Sequence, residues 1–135
     1  MNNIRHKYPY LNLLVTINSR IVGNINTSNL RFTDETDLGH LNNIVKSIFH
    51  SLIVQNKNEA LLTLLNSSGH LLYYQPFFDG NSRTIKIFIK LILNKLKFNF
   101  KYELDAHLIP MLFDGENCTN EDIIKFKKNV NLSIK

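Results

Sequence analysis

The fold of this chain is constrained most by residues 75–86, which read QPFFDGNSRTIK. An apolar, helix-like run precedes this stretch, and a second apolar run follows it. Pro76 disfavours helical geometry at Gln75 and forces a break in the first run. Residues 79–81, Asp-Gly-Asn, are typical of a turn, since Gly and Asn tolerate positive φ and Asp bonds nearby backbone. The sequence therefore predicts two helices joined by a tight loop.

The second helix is expected to present its N-terminus to the loop. Asn81 or Ser82 can cap this helix, which would then begin at Ser82 or Arg83. The first N–H groups of a helix lack internal partners and the dipole is positive there, so this end suits an anion. Arg83 in the first turn opposes the dipole, and an anion would offset that cost. Asp79 is placed to hold Mg²⁺ jointly with phosphate oxygens. The stretch thus indicates a phosphate site.

The same twelve residues resemble the signature of the Fic (Fido) family, H-P-F-x-[D/E]-G-N-G-R-x-x-R. Six positions match in register: Pro76, Phe77, Asp79, Gly80, Asn81 and Arg83. Members of the family move part of a nucleotide, most often AMP from ATP, onto a hydroxyl of a target protein. The resemblance is sharp over residues 60–98 and weak outside them.

The resemblance implies a cofactor, two partners and a set of site residues. Asp79 would bind the Mg²⁺ of Mg-ATP or of another nucleotide, and Phe77 would anchor the loop in the core. The residues expected around the phosphates are Gly80, Asn81, Ser82, Arg83 and Lys86. The partners would be the nucleotide and a target protein that offers a Tyr, Ser or Thr hydroxyl.

Three positions depart from the family pattern. Gln75 stands where the family has its general base, a histidine, and a glutamine amide can orient a hydroxyl but not take its proton. Ser82 replaces the second glycine, and it either crowds the phosphates or adds a hydroxyl donor. Lys86 replaces the final arginine and keeps the charge without the bidentate fork. Two hypotheses follow: a weak or altered protein adenylyltransferase, or a Fic-fold pseudoenzyme that acts as a binding or regulatory module.

Other catalytic chemistry has little support in the sequence. No G-x-x-x-x-G-K-[S/T] phosphate loop and no H-E-x-x-H occur, and no two histidines stand four residues apart, so a zinc site is not expected. His70 precedes Gln75 by five residues and would lie more than one helical turn from the loop. This position disfavours His70 as a replacement base.

The length and charge of the chain limit its domain organisation and the kind of partner it can bind. The 135 residues, of which 44% are hydrophobic, fit a single domain over residues 1–135 with a real core. The net charge of +5 suits an anionic partner. A basic nucleic-acid-binding protein is a third hypothesis, ranked last because no recognition-helix pattern supports it. We expect no membrane span and no secretory signal, and therefore a protein of the bacterial cytoplasm or an effector exported by an unrecognised signal.

The pattern of apolar residues predicts the other elements. The class expected is all-α, a Fic-like bundle of about six helices with one small β-hairpin, the flap that holds a target segment in that family. A short helix is expected from Pro9, the hairpin near residues 15–26, and a helix capped by Asp34 or Thr36. Further helices are expected from Asn58 to Leu72 and over residues 85–98, 103–113 and 120–130.

Overall fold

Helices make up most of the chain that the computed structural model describes, namely residues 4–23 and 29–99. Beyond residue 99, it describes only Glu121, Ile124, Lys128, Ser133 and Ile134. The elements in these parts of the chain are α1 (Ile4–Lys7), α2 (Pro9–Val22), α3 (Glu35–Val54), α4 (Lys57–Tyr74), α5 (Asn81–Lys95), β1 (Phe98–Asn99) and β2 (Ser133–Ile134). The two short strands pair antiparallel. The mainly helical class predicted from the sequence is confirmed.

The two longest helices, α3 and α4, begin at side-chain caps. The Asp34 carboxylate accepts a hydrogen bond of 2.7 Å from the Thr36 N–H and so caps α3, as expected. The Asn56 side chain accepts one of 2.9 Å from the Glu59 N–H and caps α4. That helix therefore begins before the predicted Asn58. Both caps fix where the two central helices enter the core.

The hairpin predicted near residues 15–26 is wrong. Residues 9–22 form the continuous helix α2, which ends at Gly23 in the left-handed conformation, with φ of 71°. Leu11, Leu14 and Ile17 are buried on one side of the helix. Their spacing of three shows that helical burial outweighs the strand preference of the Val, Thr and Ile residues here. Residues 24–28, which include the end of the predicted hairpin, lie outside the described residues.

The core lies between α2, α3, α4 and α5. Helix α5 packs on both α2 and α4, and α3 packs on α2 and α4. The side chains that are fully buried include Leu11, Leu14, Leu41, Ile48, Leu61, Leu64, Leu65, Phe77, Ile85 and Phe88. The central position predicted for α5 is wrong, because α5 packs on two of the other long helices, as each of those does. Its outer side faces solvent, where Ile87 and Leu91 are 40% and 44% exposed.

Two predicted helices lie wholly or mostly outside the described residues. Residues 103–113 are not among the described residues. Of residues 120–130, only Glu121, Ile124 and Lys128 are described, and all three are helical and exposed. Among all the described residues, no helix combines the length and the apolar character needed to cross a membrane.

Candidate functional site

The helix break falls where the sequence places it. Helix α4 ends at Tyr74, and Gln75 adopts the left-handed conformation, with φ of 47° and ψ of 69°. Helix α5 begins at Asn81, earlier than predicted, and its N-cap is Gly80, with φ of 79° and no side-chain cap. The predicted side-chain cap by Asn81 or Ser82 is therefore wrong. We call residues 75–80 the loop.

The Asn81 side chain closes the loop on itself. Its Oδ1 accepts a hydrogen bond of 2.9 Å from the Phe77 N–H, and its Nδ2 donates one of 2.8 Å to the Phe77 carbonyl. Both polar groups of the Asn81 amide are thus bound to the backbone of Phe77, a residue that is only 1% exposed. Any contact of Asn81 with an anion would therefore come from its backbone N–H, with the side chain holding the loop in shape.

Replacing Asn81 by alanine is expected to lower the free energy of unfolding by about 1–3 kcal/mol, because the part-buried backbone of Phe77 loses both hydrogen bonds. The matched change Ser82→Ala should stay within about 0.5 kcal/mol. Urea unfolding of both variants at equal m-value measures the difference. Equal destabilisation by the two changes would contradict the role given to Asn81.

A buried asparagine lies under the loop. Asn18 on α2 is 1% exposed, and its Nδ2 lies 2.8 Å from the Asp79 carbonyl oxygen and 3.2 Å from Thr84 Oγ1. The Asn29 amide donates a second hydrogen bond, of 3.0 Å, to the same carbonyl. Two donors from distant segments therefore fix the backbone that carries the Asp79 carboxylate. The role of Asn18 was not predicted from the sequence, although a lone amide on the apolar side of α2 was a signal for it.

Glycine at position 80 is favoured both by the backbone conformation and by the surroundings. A Cβ atom at this position would lie 3.1 Å from Asn18 Nδ2 and 3.2 Å from Val22 Cγ1. Its φ of 79° also belongs to the region that favours glycine. A side chain at this position would consequently require Asn18 or Val22 to shift by a few tenths of an ångström, in addition to the backbone strain.

A second segment braces the end of α4. Residues 29–31 run antiparallel to residues 76–78 through an isolated bridge. The Arg31 guanidinium donates hydrogen bonds of 3.3 Å to the Tyr74 carbonyl and 3.1 Å to the Gln75 carbonyl. These carbonyls lie at the negative end of the α4 dipole, so the cation is favourably placed. The role of Arg31 was not predicted, because no local sequence pattern indicates contacts with residues 43 and 44 positions away.

The predicted site residues surround two neighbouring cavities. The first, here called the loop cavity, has a volume of about 350 Å³ and is lined by Gln75, Phe78, Asp79, Gly80, Asn81, Ser82 and Arg83. The second, here called the α5 groove, has a volume of about 410 Å³ and is lined by Ile21, Arg83, Lys86, Ile87 and Lys90. Arg83 lines both, and Lys86 lines only the second. The loop cavity thus brings together all the predicted site residues except Lys86.

The charges of the site favour an anion held together with a cation. Asp79 supplies the one carboxylate of the loop cavity, and it is exposed. Within the described ranges, no cluster of three His, Cys, Asp or Glu residues could hold a metal by itself. A single carboxylate does fit Mg²⁺ that is shared with phosphate oxygens. Among the same residues, neither Arg83 nor Lys86 forms an ion pair, so their charge is available to a ligand.

His70 belongs to a different place in the structure. It lines a small cavity of about 130 Å³ together with Ile44, Ser47, Asn66 and Ser67. It does not line the loop cavity. The structure therefore agrees with the sequence-based argument against His70 as a replacement base.

Comparison of the chain with models of known protein families, with curated proteins and with solved structures finds no match in any of the three.

Proposed function

We propose that this chain is a divergent Fic-like protein whose loop binds the phosphates of an Mg²⁺-nucleotide. It would transfer the nucleotidyl group, AMP when the donor is ATP, to a hydroxyl of a target protein, and do so slowly. The observation that supports this most is the loop cavity, where Gln75, Asp79 and Arg83 meet at the N-terminus of α5. An exposed carboxylate, a cation and free helix N–H groups are the groups that a metal-bound phosphate needs.

Each part of the site has a distinct role in the proposal. The N–H groups of the first turn of α5 would bind phosphate oxygens, and Arg83 would neutralise further charge. The Asp79 carboxylate would hold Mg²⁺, which when bound supplies charge neutralisation between the phosphates. Asn18 and Asn29 would keep this carboxylate in place through the Asp79 carbonyl.

The transfer step lacks a strong base. The oxygen of the target hydroxyl would attack the α-phosphorus, the bond from that phosphorus to the bridging oxygen would break, and pyrophosphate would leave. The hydroxyl proton would pass to water, because the Gln75 amide can orient the hydroxyl but cannot accept its proton. General-base catalysis typically contributes about 10²–10⁴-fold to a rate. We therefore expect the transfer rate to be lower by about that factor than in a site that has a histidine at position 75.

The second candidate function is a pseudoenzyme that binds a nucleotide or a partner without turnover. The observation that favours it is the absence of any histidine from the residues that line the loop cavity, all of which the structure describes. The two functions share the phosphate site and differ in turnover.

Thermal melting with and without Mg²⁺-nucleotide tests the site itself. At about 100 times its dissociation constant, a nucleotide should stabilise the wild-type chain by about 2.7 kcal/mol, or roughly 10 °C in Tm for a domain of this size. Mg²⁺ alone should have little effect, since Asp79 is the single carboxylate of the loop cavity. Asp79→Ala should abolish the shift, whereas Asp37→Ala, at an exposed position of α3 outside that cavity, should retain it.

Two results would contradict the proposal. The first is a wild-type chain that none of Mg²⁺-ATP, -GTP, -UTP or -CTP stabilises. The second is an Asp79→Ala variant that keeps the full shift, because phosphate binding would then be independent of the proposed metal ligand.

A further inference from the structure

The loop cavity has an exposed aromatic ring in an otherwise polar lining. Among the described residues that line it, Phe78 alone has an apolar side chain. Phe78 is 72% exposed, whereas the neighbouring Phe77 is 1% exposed. Burial in the core therefore accounts for Phe77 but not for Phe78. Single exposed apolar side chains are common on protein surfaces, so the argument for a role of Phe78 rests on where its ring lies.

The backbone that carries this ring is held in place. The Phe78 N–H donates a hydrogen bond of 2.9 Å to the Asn29 carbonyl. The carbonyl of the next residue, Asp79, accepts hydrogen bonds from the side chains of Asn18 and Asn29. A ring on a fixed backbone has only its two side-chain torsions to order when a ligand binds, so the entropic cost of contact with it is small. Phe78 is therefore well placed to contact a ligand of the loop cavity.

The lining of the loop cavity offers the two kinds of surface that a nucleotide needs. Asp79, Arg83 and the N-terminus of α5 suit the phosphates and Mg²⁺, and Phe78 offers a flat apolar face. The Cα atoms of Phe78 and Asn81 are at most about 11 Å apart, because consecutive Cα atoms are about 3.8 Å apart. A nucleotide spans a comparable distance between its phosphates and its base.

The ring suits the base better than it suits the segment of the target protein. Every base has a π-face, and stacking on an aromatic side chain is tolerant of which base it is. A target serine or threonine has no ring to stack on Phe78. The ring face of Phe78 would be used by every nucleotide that binds in the loop cavity.

We propose that the Phe78 ring stacks on the base of the nucleotide whose phosphates bind at the N-terminus of α5. This inference rests on the proposed function, because it assigns the base of that same nucleotide. Phe78 would recognise the flat face of the base and not its edge, so ATP, GTP, UTP and CTP should bind within about 10-fold of one another. The contact would separate nucleotides as a class from inorganic polyphosphates, which have no base.

Isothermal titration of the full chain with the four Mg²⁺-nucleotides and with Mg²⁺-tripolyphosphate tests the inference. Phe78→Ala should weaken the binding of each nucleotide by about 5- to 150-fold, the loss that corresponds to one base–aromatic stack. The affinity for Mg²⁺-tripolyphosphate should stay unchanged. Phe78→Tyr keeps the ring and should keep the affinity for nucleotides. The matched control Tyr73→Ala removes an aromatic side chain that is 69% exposed and does not line the loop cavity, so it should also leave both affinities unchanged.

A fluorescence measurement checks the contact directly. The chain contains no tryptophan, so Phe78→Trp places a unique fluorophore at the loop cavity. A base stacked on the indole should change its emission, whereas Mg²⁺-tripolyphosphate should leave it close to that of the unbound variant. Adding Asp79→Ala should abolish the response to nucleotide, because the phosphates would no longer be held.

Several outcomes would overturn the inference. One is full affinity for nucleotides in Phe78→Ala, and another is an equal loss for nucleotides and tripolyphosphate, because the ring would then support only the phosphate site. An equal loss in Tyr73→Ala, or one nucleotide bound far more tightly than the other three, would also contradict stacking on Phe78. In each of these cases the phosphate site stays supported if Asp79→Ala abolishes the binding of nucleotide. No binding of any nucleotide would overturn this inference and the proposed function together.

Discussion

Replacing Gln75 by histidine and Ser82 by glycine in one variant is expected to raise nucleotidyl transfer by about 10²–10⁴-fold. The first change restores a group that can take the proton of the attacking hydroxyl. The second removes a side chain from the residues that line the loop cavity. Since Asp79, Arg83 and the N-terminus of α5 are already present at the loop cavity, the missing base should be the main barrier.

The structure should accept both changes. Gln75 is exposed and has a φ of 47°, a region in which histidine is several-fold enriched among non-glycine residues. Ser82 lies in the first turn of α5, and a glycine there should cost less than the roughly 1 kcal/mol of a helix interior. We therefore expect a folded variant with an altered site.

Transfer of a labelled nucleotide onto the chain itself or onto added protein gives the rate. An imidazole has an ordinary pKa of about 6.5 and acts as a base only when neutral. The gained activity should therefore rise with pH through that region and then level off. Gln75→Asn introduces no base and should gain nothing, and Asp79→Ala added to the double variant should abolish the gain. Intact nucleotide binding without any gain would favour the pseudoenzyme.

Phe77→Ala is expected to have the largest effect on stability, a loss of about 3–5 kcal/mol in the free energy of unfolding. Phe77 is 1% exposed, and its backbone N–H and carbonyl are both bound by the Asn81 side chain. The residues on either side of it, Pro76 and Phe78, form the hydrogen bonds of the bridge to residues 29–31. Removing its ring leaves a cavity directly beneath the loop, so the stabilisation by Mg²⁺-nucleotide should weaken as well.

The adjacent residue offers a matched control for this change. Phe78 has the same side chain and is 72% exposed, so Phe78→Ala should change the free energy of unfolding by no more than about 0.5 kcal/mol. Urea unfolding, with the midpoint read at constant m-value, measures both variants. A similar loss in the two would show that the loop is not anchored through Phe77.

Features encoded by neighbouring residues could be predicted from the sequence. The break before Pro76 follows from the steric effect of proline on Gln75, and the helix break is observed there. The cap of α3 by Asp34 follows from an equally local rule. The helical class was therefore accessible without the structure.

Features that depend on distant residues could not be predicted. Asn18 reaches the Asp79 carbonyl across 61 residues, and no local pattern reports that contact. The prediction of a hairpin was wrong for a related reason. The local sequence of α2 is compatible with both strand and helix, and the burial of Leu14 and Ile17 in the core decides for the helix. The motif placed Asn81 around the phosphates, and nothing local to it indicated that its side chain is bound to the backbone of Phe77.

The bracing of the loop has a consequence for the order of folding. Its shape depends on Asn18 and on residues 29–31, which are joined to it through long stretches of chain. Contacts of such separation form late, because the entropy of closing the intervening chain must first be offset by other contacts. During refolding, helical content should thus be regained before the phosphate site exists. Nucleotide binding should therefore be regained last, and it would indicate that the whole molecule has folded.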